Sequence, residues 1–387
     1  MSVDAITQLL AMRGLLLYKA IYISFTVALI VVAYVGRKVT FHRLKEKHVH
    51  LLCIFLISLL IAVYASLRPV DTTHDTKAYL DVYDQLQSPS EYFRFVLIPG
   101  NRPWPLNMEA GFVFMFSIYK TLFHSFRLAL FCIAFFNSFL FLFSAYGIAE
   151  SNLEQINFAR LLALFFSAYA LQYCCIAIRG GASVSIGLFA AYCTFKRRYI
   201  LAGVFFYAAM LFHTMGILFV PFIVLTMVVR NKVGLPKSVV FVCSAICICS
   251  LTFRLGGYVI NTVSKIVMAF FEKTGMKGLG GYVREIDNND TGKRIWLTAL
   301  TGIAVLLSVY WKGDVDRRML IMVIIGLFIV SFLYPVTAIG RASDYGYIFI
   351  LPIMASCRLD KMTTFGKLFM GYAIFPIFFL LQLTIFS

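Results

Sequence analysis

Apolar residues in this chain come in continuous stretches rather than at alternate positions. They fill 15–35, 51–67, 109–123, 128–148, 158–178, 182–195, 200–212, 214–229, 238–253, 295–311, 320–334, 345–357 and 368–386. Crossing the hydrocarbon of a bilayer takes about 20 apolar residues, with a range of roughly 17–25. The pattern predicts an all-α fold: a polytopic transmembrane helical bundle with about 12 spanning helices plus a re-entrant or interfacial helix. It reads as one integral membrane domain over 1–387, with outer loops at 68–108 and 254–294. A transmembrane barrel would need alternating apolar and polar positions, which these runs lack. No repeat of fixed period is visible.

Between the runs lie short basic connectors: Arg37, Lys38, Arg43, Lys45 and Lys47; Lys196, Arg197 and Arg198; the segment 230–237; Arg317 and Arg318; and 358–367. Lys and Arg accumulate on the cytoplasmic side. That puts 68–107, Arg179, the turn at Phe212 and His213, 254–294 and 335–344 on the outer face. Three apolar runs separate residue 107 from Arg179, and three crossings would bring Arg179 inside. One run therefore does not span, and 109–123, short and carrying Lys120, is the expected one. Irregular backbone at membrane depth is tolerated only where it is buried in protein or lines a wet cavity. In the second outer loop, Tyr258, Val259, Val263, Ile266, Val267, Phe270 and Phe271 recur at helical spacing and predict an interfacial helix over 256–271.

Composition removes the soluble alternatives. The chain is 61% hydrophobic and 14% charged, against about 45–50% and roughly 25% in soluble domains. The formal charge of +17 sits in the connectors, where it sets orientation rather than marking a nucleic-acid partner. Nine cysteines lie mainly inside apolar runs, without zinc-site spacing. No cofactor is expected and no metal is required, though Asp71 and Asp75 leave a metal possible. The first long apolar run lacks a small-residue cleavage site and flows into a basic connector, unlike a cleaved signal peptide.

Ionisable groups at the ends of apolar runs then stand out, because charge at membrane depth is costly and marks function by default. On the outer side these are Arg68, Asp71, His74 and Asp75; Arg102 and Glu109; Arg179; His213; and Arg341, Asp344 and Tyr345. Each has a plainer reading. Arg179 could snorkel to the interface, His213 could bond backbone in its hairpin, and Arg341 could cap a helix. Asp71 and Asp75 could be solvated or capping acids, and Glu109 could face a helix dipole. Gly180 and Gly181 after Arg179 suggest a close backbone approach. Taken together, converging arginines suit a diphosphate, whose oxygens match planar guanidinium bidentately. Carboxylates and a histidine suit deprotonation of a sugar hydroxyl.

The order of these elements resembles the EpsG family, the Wzy-like polymerases of exopolysaccharide and O-antigen. Arg68 followed by His74-Asp75-Thr-Lys-Ala-Tyr79 is similar to the family's Arg…Gly-x-Asp-x-x-x-Tyr element. Met108-Glu109-Ala-Gly-Phe112 resembles its acidic-x-Gly-Phe segment, Ile178-Arg179-Gly180 its Ile-Arg-Gln, Phe212-His213-Thr its Phe-His-Ser, and Arg341-Ala-Ser-Asp-Tyr345 its Ala-Arg-x-x-x-Tyr. Two departures remove functional groups or alter backbone: Gly180 stands for Gln and His74 for Gly.

The resemblance implies a glycosyltransferase of the bacterial inner membrane, its site facing the periplasm. It would join undecaprenyl-diphosphate-linked oligosaccharide repeat units, with the lipid bilayer and a chain-length regulator protein as further partners. By the same resemblance Arg179 and Arg341 hold the diphosphate with Arg68 as helper. Asp75 or Glu109 is the base, with Asp71 competing for the role of Asp75. His213 is a hydrogen-bond partner or proton shuttle, and Tyr79 and Tyr345 stack on sugars. A ligase, another lipid-carrier glycosyltransferase and a flippase remain as alternatives. A flippase would be expected to place its charges near the midplane on broken helices.

Overall fold

The computed structural model describes residues 3–35, 43–69, 74–97, 108–152, 156–228, 236–253, 255–256, 299–305, 317–333, 344–356 and 362–383. Asp71, Arg102, Arg341, the expected helix at 256–271 and almost all of the loop 254–294 lie outside them. Regular structure among the described residues is helical, with no strand. The chain divides into two compact units. One comprises Met1–Ser151, Asn157–Ile217 and Phe378–Ser387, the other Asn152–Ile156 and Leu218–Ile377.

The first unit is built on α1 (Val3–Val35), α2 (Arg43–Ser66) and α6 (Phe126–Asn152). Their segments Gly14–Tyr34, Lys47–Ser66 and Phe126–Glu150 are long and apolar enough to cross a membrane. A fourth candidate is bent. α7 (Phe158–Ala168) turns by 61° into a π-helical segment, Ala170–Ile176. Among the described residues, helix length thus supports three crossings, or four with the bent pair, fewer than the dozen expected. Seven shorter apolar helices there have 10–17 residues, at or below the lower end of the roughly 17–25 that a crossing takes.

The run 158–178, expected as one straight span, breaks because buried side chains satisfy the backbone on both sides of the bend. The Tyr22 hydroxyl donates to Phe166 O (2.6 Å) and accepts from Leu171 N (3.0 Å). Asn137 of α6 donates to Tyr173 O (3.1 Å) and Ile178 O (2.9 Å). Side chains inserted into the ladder in this way are an ordinary cause of kinks. Beyond the bend, α8 (Ile178–Phe195) and α9 (Tyr199–Phe212) form a hairpin closed at Arg197, whose φ is +60°.

The unit has two distinguishable ends. At one, Lys47 pairs with Glu150 at 3.0 Å, and His50 stacks on Phe158 at 4.3 Å. At the other, the loop read from sequence as 68–108 contains α3 (His74–Gln85) and α4 (Pro89–Leu97), followed by α5 (Ala110–Phe123). These helices make a cluster of their own: Tyr79, Tyr83, Tyr92, Phe112 and Phe116 pack on Leu130 and Ile133 of α6, with Ile178 of α8 joining them. α5 has 14 residues, or about 21 Å at 1.5 Å per residue, short of the roughly 30 Å hydrocarbon. Its lysine has a local purpose. Lys120 Nζ donates to Tyr83 O and Asp84 O, each at 2.8 Å, closing the C-terminus of α3, where a cation also suits the helix dipole.

The second unit contains α10 (Val220–Val228), α11 (Lys237–Thr252) and α12 (Arg317–Leu333). Ser250 Oγ donates to Ser331 O at 2.7 Å, tying α11 to α12. Phe222 stacks on Phe349 at 4.5 Å. Gly346 lies so close to α12 that an added Cβ would come within 2.9 Å of Gly326 Cα.

Candidate active site

Glu109 immediately precedes α5, and its carboxylate makes no capping bond to that helix. It reaches Arg179 in the first turn of α8 instead, with Oε2 2.7 Å from Nη1. The two side chains are 17% and 24% exposed, so the pair is screened less than a surface pair yet open enough to meet a ligand. The acid is thus engaged by a guanidinium while it stands at the N-terminus of α5.

Glycines allow this approach. A Cβ at Gly111 would come within 2.9 Å of Leu211 Cβ and O, so α5 touches the end of α9 there. A Cβ at Gly181 would run into Tyr173 O and Asn137 Nδ2. Gly181 therefore fulfils the close approach expected of the two glycines, while Gly180 meets only the Tyr173 ring at 3.7 Å, an ordinary contact.

His213 follows α9 in extended conformation. Its Nδ1 accepts from Met215 N at 3.2 Å, which leaves the proton of the neutral ring on Nε2. Ser183, one turn along α8 from Arg179, donates to Ala209 O (2.8 Å) and more weakly to His213 O (3.4 Å). The histidine is thus fixed beside the first turns of α8, and the backbone bond expected of the plainer reading is present.

Arg68 lies just past α2. It is 2% exposed, and its Nε, Nη1 and Nη2 make no hydrogen bond among the described residues. Close enough to feel its charge are Tyr18, Tyr64 and Cys175. Cys175 belongs to the π segment that leads into Ile178 and Arg179, so one stretch of backbone links the surroundings of both arginines.

The remaining candidates are placed as follows. Asp75 is half-buried in the first turn of α3. Tyr79 is buried one turn later, its ring 5.4 Å from that of Phe112. Tyr345, in the second unit, is 2% exposed and packs edge-on to Phe219 at 5.4 Å. Both tyrosine rings are taken up by protein packing. In the end cluster, burial first and the Asp84 charge second raise the Tyr83 phenol above its ordinary value, so it stays neutral at physiological pH. The structure pairs Glu109 with Arg179 and sets the His213 backbone against Ser183 of the same helix as Arg179, while Arg68 lies just past the end of α2. Asp71 and Arg341 lie outside the described residues. Among the described residues no cluster of His, Cys, Asp or Glu is arranged to hold a metal.

Two residues that position the site are absent from the sequence expectations. Asn137 ties α6 to the start of α8, and its signal was an amide inside the apolar run 128–148. Tyr22 holds the bend, with a hydroxyl inside the first apolar run as its signal.

Long apolar helices with charged residues gathered at one end define a multi-pass helical membrane protein. The chain belongs to the EpsG family, whose profile matches residues 50–387. No curated protein and no solved structure matches it. Family membership supports a polysaccharide-polymerase type of role, that of a membrane glycosyltransferase-like enzyme.

Proposed function

We infer that this protein joins lipid-diphosphate-linked oligosaccharide repeat units into a surface polysaccharide at the outer face of the bacterial inner membrane, with undecaprenyl diphosphate as the carrier. The observation that carries the reading is the Glu109–Arg179 pair at 2.7 Å, with the buried Arg68, which has no hydrogen-bond acceptor among the described residues, as a second cation.

In this reading the pair is the resting state. An incoming diphosphate offers Arg179 two oxygens in place of one carboxylate oxygen, a better match to its planar fork. Arg179 turns to the phosphates, with Arg68 adding positive charge. Glu109 is then released to accept a proton. The hydroxyl oxygen at the nonreducing end of the acceptor unit attacks the anomeric carbon of the donor chain. The bond from that carbon to the phosphate oxygen breaks, and the lipid diphosphate departs with the electron pair. The hydroxyl proton passes to Glu109, or to Asp75 if the acceptor enters along α3. Positive charge already in place where negative charge develops is the strongest stabilisation such a site can offer its transition state. His213 Nε2–H is suited to hold a sugar or phosphate oxygen.

The test is Arg179→Ala and Glu109→Gln in the native host, with protein level checked. Single repeat units should accumulate on the lipid while long polysaccharide falls at least a hundredfold. Long polysaccharide retained at normal protein level would overturn the reading. Polymer still made but left on its lipid would point to a ligase, and repeat units trapped on the cytoplasmic leaflet to a flippase.

A further inference from the structure

An apolar groove of about 220 Å³ runs between α1, α2 and the bent span. Its floor is buried: Tyr22, Ile61, Phe166, Ala170 and Cys175 are all under 5% exposed. Its lips, Ile21, Leu60, Val63 and Leu67, are 44–60% exposed. The groove therefore opens on the face that two clear spanning segments turn outward, where lipid lies. A cavity of about 150 Å³ lined by Leu, Ile and Phe takes benzene, so this groove takes a short stretch of branched hydrocarbon.

The groove differs from an ordinary seam between helices at its end. Tyr64 and Leu67, which line it, lie at the end of α2 just before Arg68 in the chain. That guanidinium is 2% exposed and has no hydrogen-bond acceptor among the described residues. A buried charge without a partner is strongly unfavourable unless a ligand completes it. Apolar walls ending at an unmatched cation complement an anionic head on an apolar tail.

We propose that this groove is the tail site of the lipid-linked substrate: the first isoprene units lie between Ile21, Leu60 and Phe166, and the adjoining phosphate meets Arg68. The bend in the fourth candidate span makes the floor, since Phe166 and Ala170 flank the break that Tyr22 holds open. The proposal rests on the polymerase reading for the identity of the lipid, and it separates tail recognition at Arg68 from sugar chemistry at Glu109 and Arg179.

A photo-crosslinking residue placed at Ile21 or Leu60 of the full-length protein, in phosphatidylcholine nanodiscs containing labelled undecaprenyl diphosphate, tests it. Leu52, exposed on α2 but outside the groove, is the control position. Labelling at 21 and 60 should exceed that at 52 about tenfold. Arg68→Gln should reduce it about tenfold, and Leu60→Trp should reduce labelling from position 21. Equal labelling at all three positions, equal labelling by undecaprenol without phosphate, or full displacement by equimolar phosphatidylglycerol would overturn the proposal. If Arg179→Ala abolishes polymer in cells but the groove does not label, the tail site alone falls. If the groove labels but Arg179→Ala leaves polymer intact, the tail site stands and the polymerase reading falls.

Discussion

Arg68 carries a full charge at a position only 2% exposed and without an acceptor. Leaving a charge buried and unpaired costs several kcal/mol, a large share of a marginal folding free energy. If its purpose were structural, removing it would destabilise. If it awaits a ligand, Arg68→Met should leave the melting temperature of the purified, detergent-solubilised protein unchanged or raised, while long polysaccharide is lost in cells. A fall of several degrees in the variant would show a structural arginine instead. Glu109 and Arg179 behave differently, since each satisfies the other at 2.7 Å. Sequence made both residues visible, as charges at the ends of apolar runs, but their separation of seventy positions hid the pairing. The glycines that permit it were half visible: Gly181 through its place after Arg179, Gly111 only once its contact with Leu211 is known.

At the scale of elements, the bend after Ala168 sets where α8 begins and so where Arg179 points. Asn137 ties the π segment beyond that bend to the start of α8 with bonds to Tyr173 O and Ile178 O. Asn137→Leu removes two buried hydrogen bonds, at about 0.5–1.5 kcal/mol each. The expected result is a lower melting temperature and polymer reduced more than tenfold, although Asn137 approaches no substrate in the proposed reaction. Activity unchanged in that variant would mean that the bend does not position Arg179. Hydropathy could not show the bend, because α7 and the π segment are equally apolar and only polar atoms on α1 and α6 distinguish them. The short helix α5 was legible from its length and from Lys120. What sequence could not give was the lysine's partner, the last carbonyls of α3.

For the molecule as a whole, helical class and membrane residence follow directly from thirteen apolar runs, while the number of crossings does not. Among the described residues, several of the shorter runs, such as 109–123 and 200–212, fold as helices of 14 residues, too short to cross straight. Sidedness was argued from the basic connectors, and within the first unit the exposed Ser90 of α4 and Arg197 of the α8–α9 turn lie at opposite ends. With the nine native cysteines replaced, Ser90→Cys should react with a membrane-impermeant thiol reagent in cells with a permeable outer membrane. Arg197→Cys should react only after the inner membrane is opened. The reverse pattern would place the site in the cytosol and remove the extracytoplasmic reading.

The first half of α6 belongs to the end cluster through Leu130 and Ile133, and the same unbroken helix continues to Glu150 at the far end. The helices of the end cluster are therefore seated on a rod that runs on to the far end of the unit, so they move with it. If the polymerase reading holds, a lengthening chain leaves beside these packed helices, and the room there, rather than any opening motion, would limit how bulky a branch the repeat unit can carry.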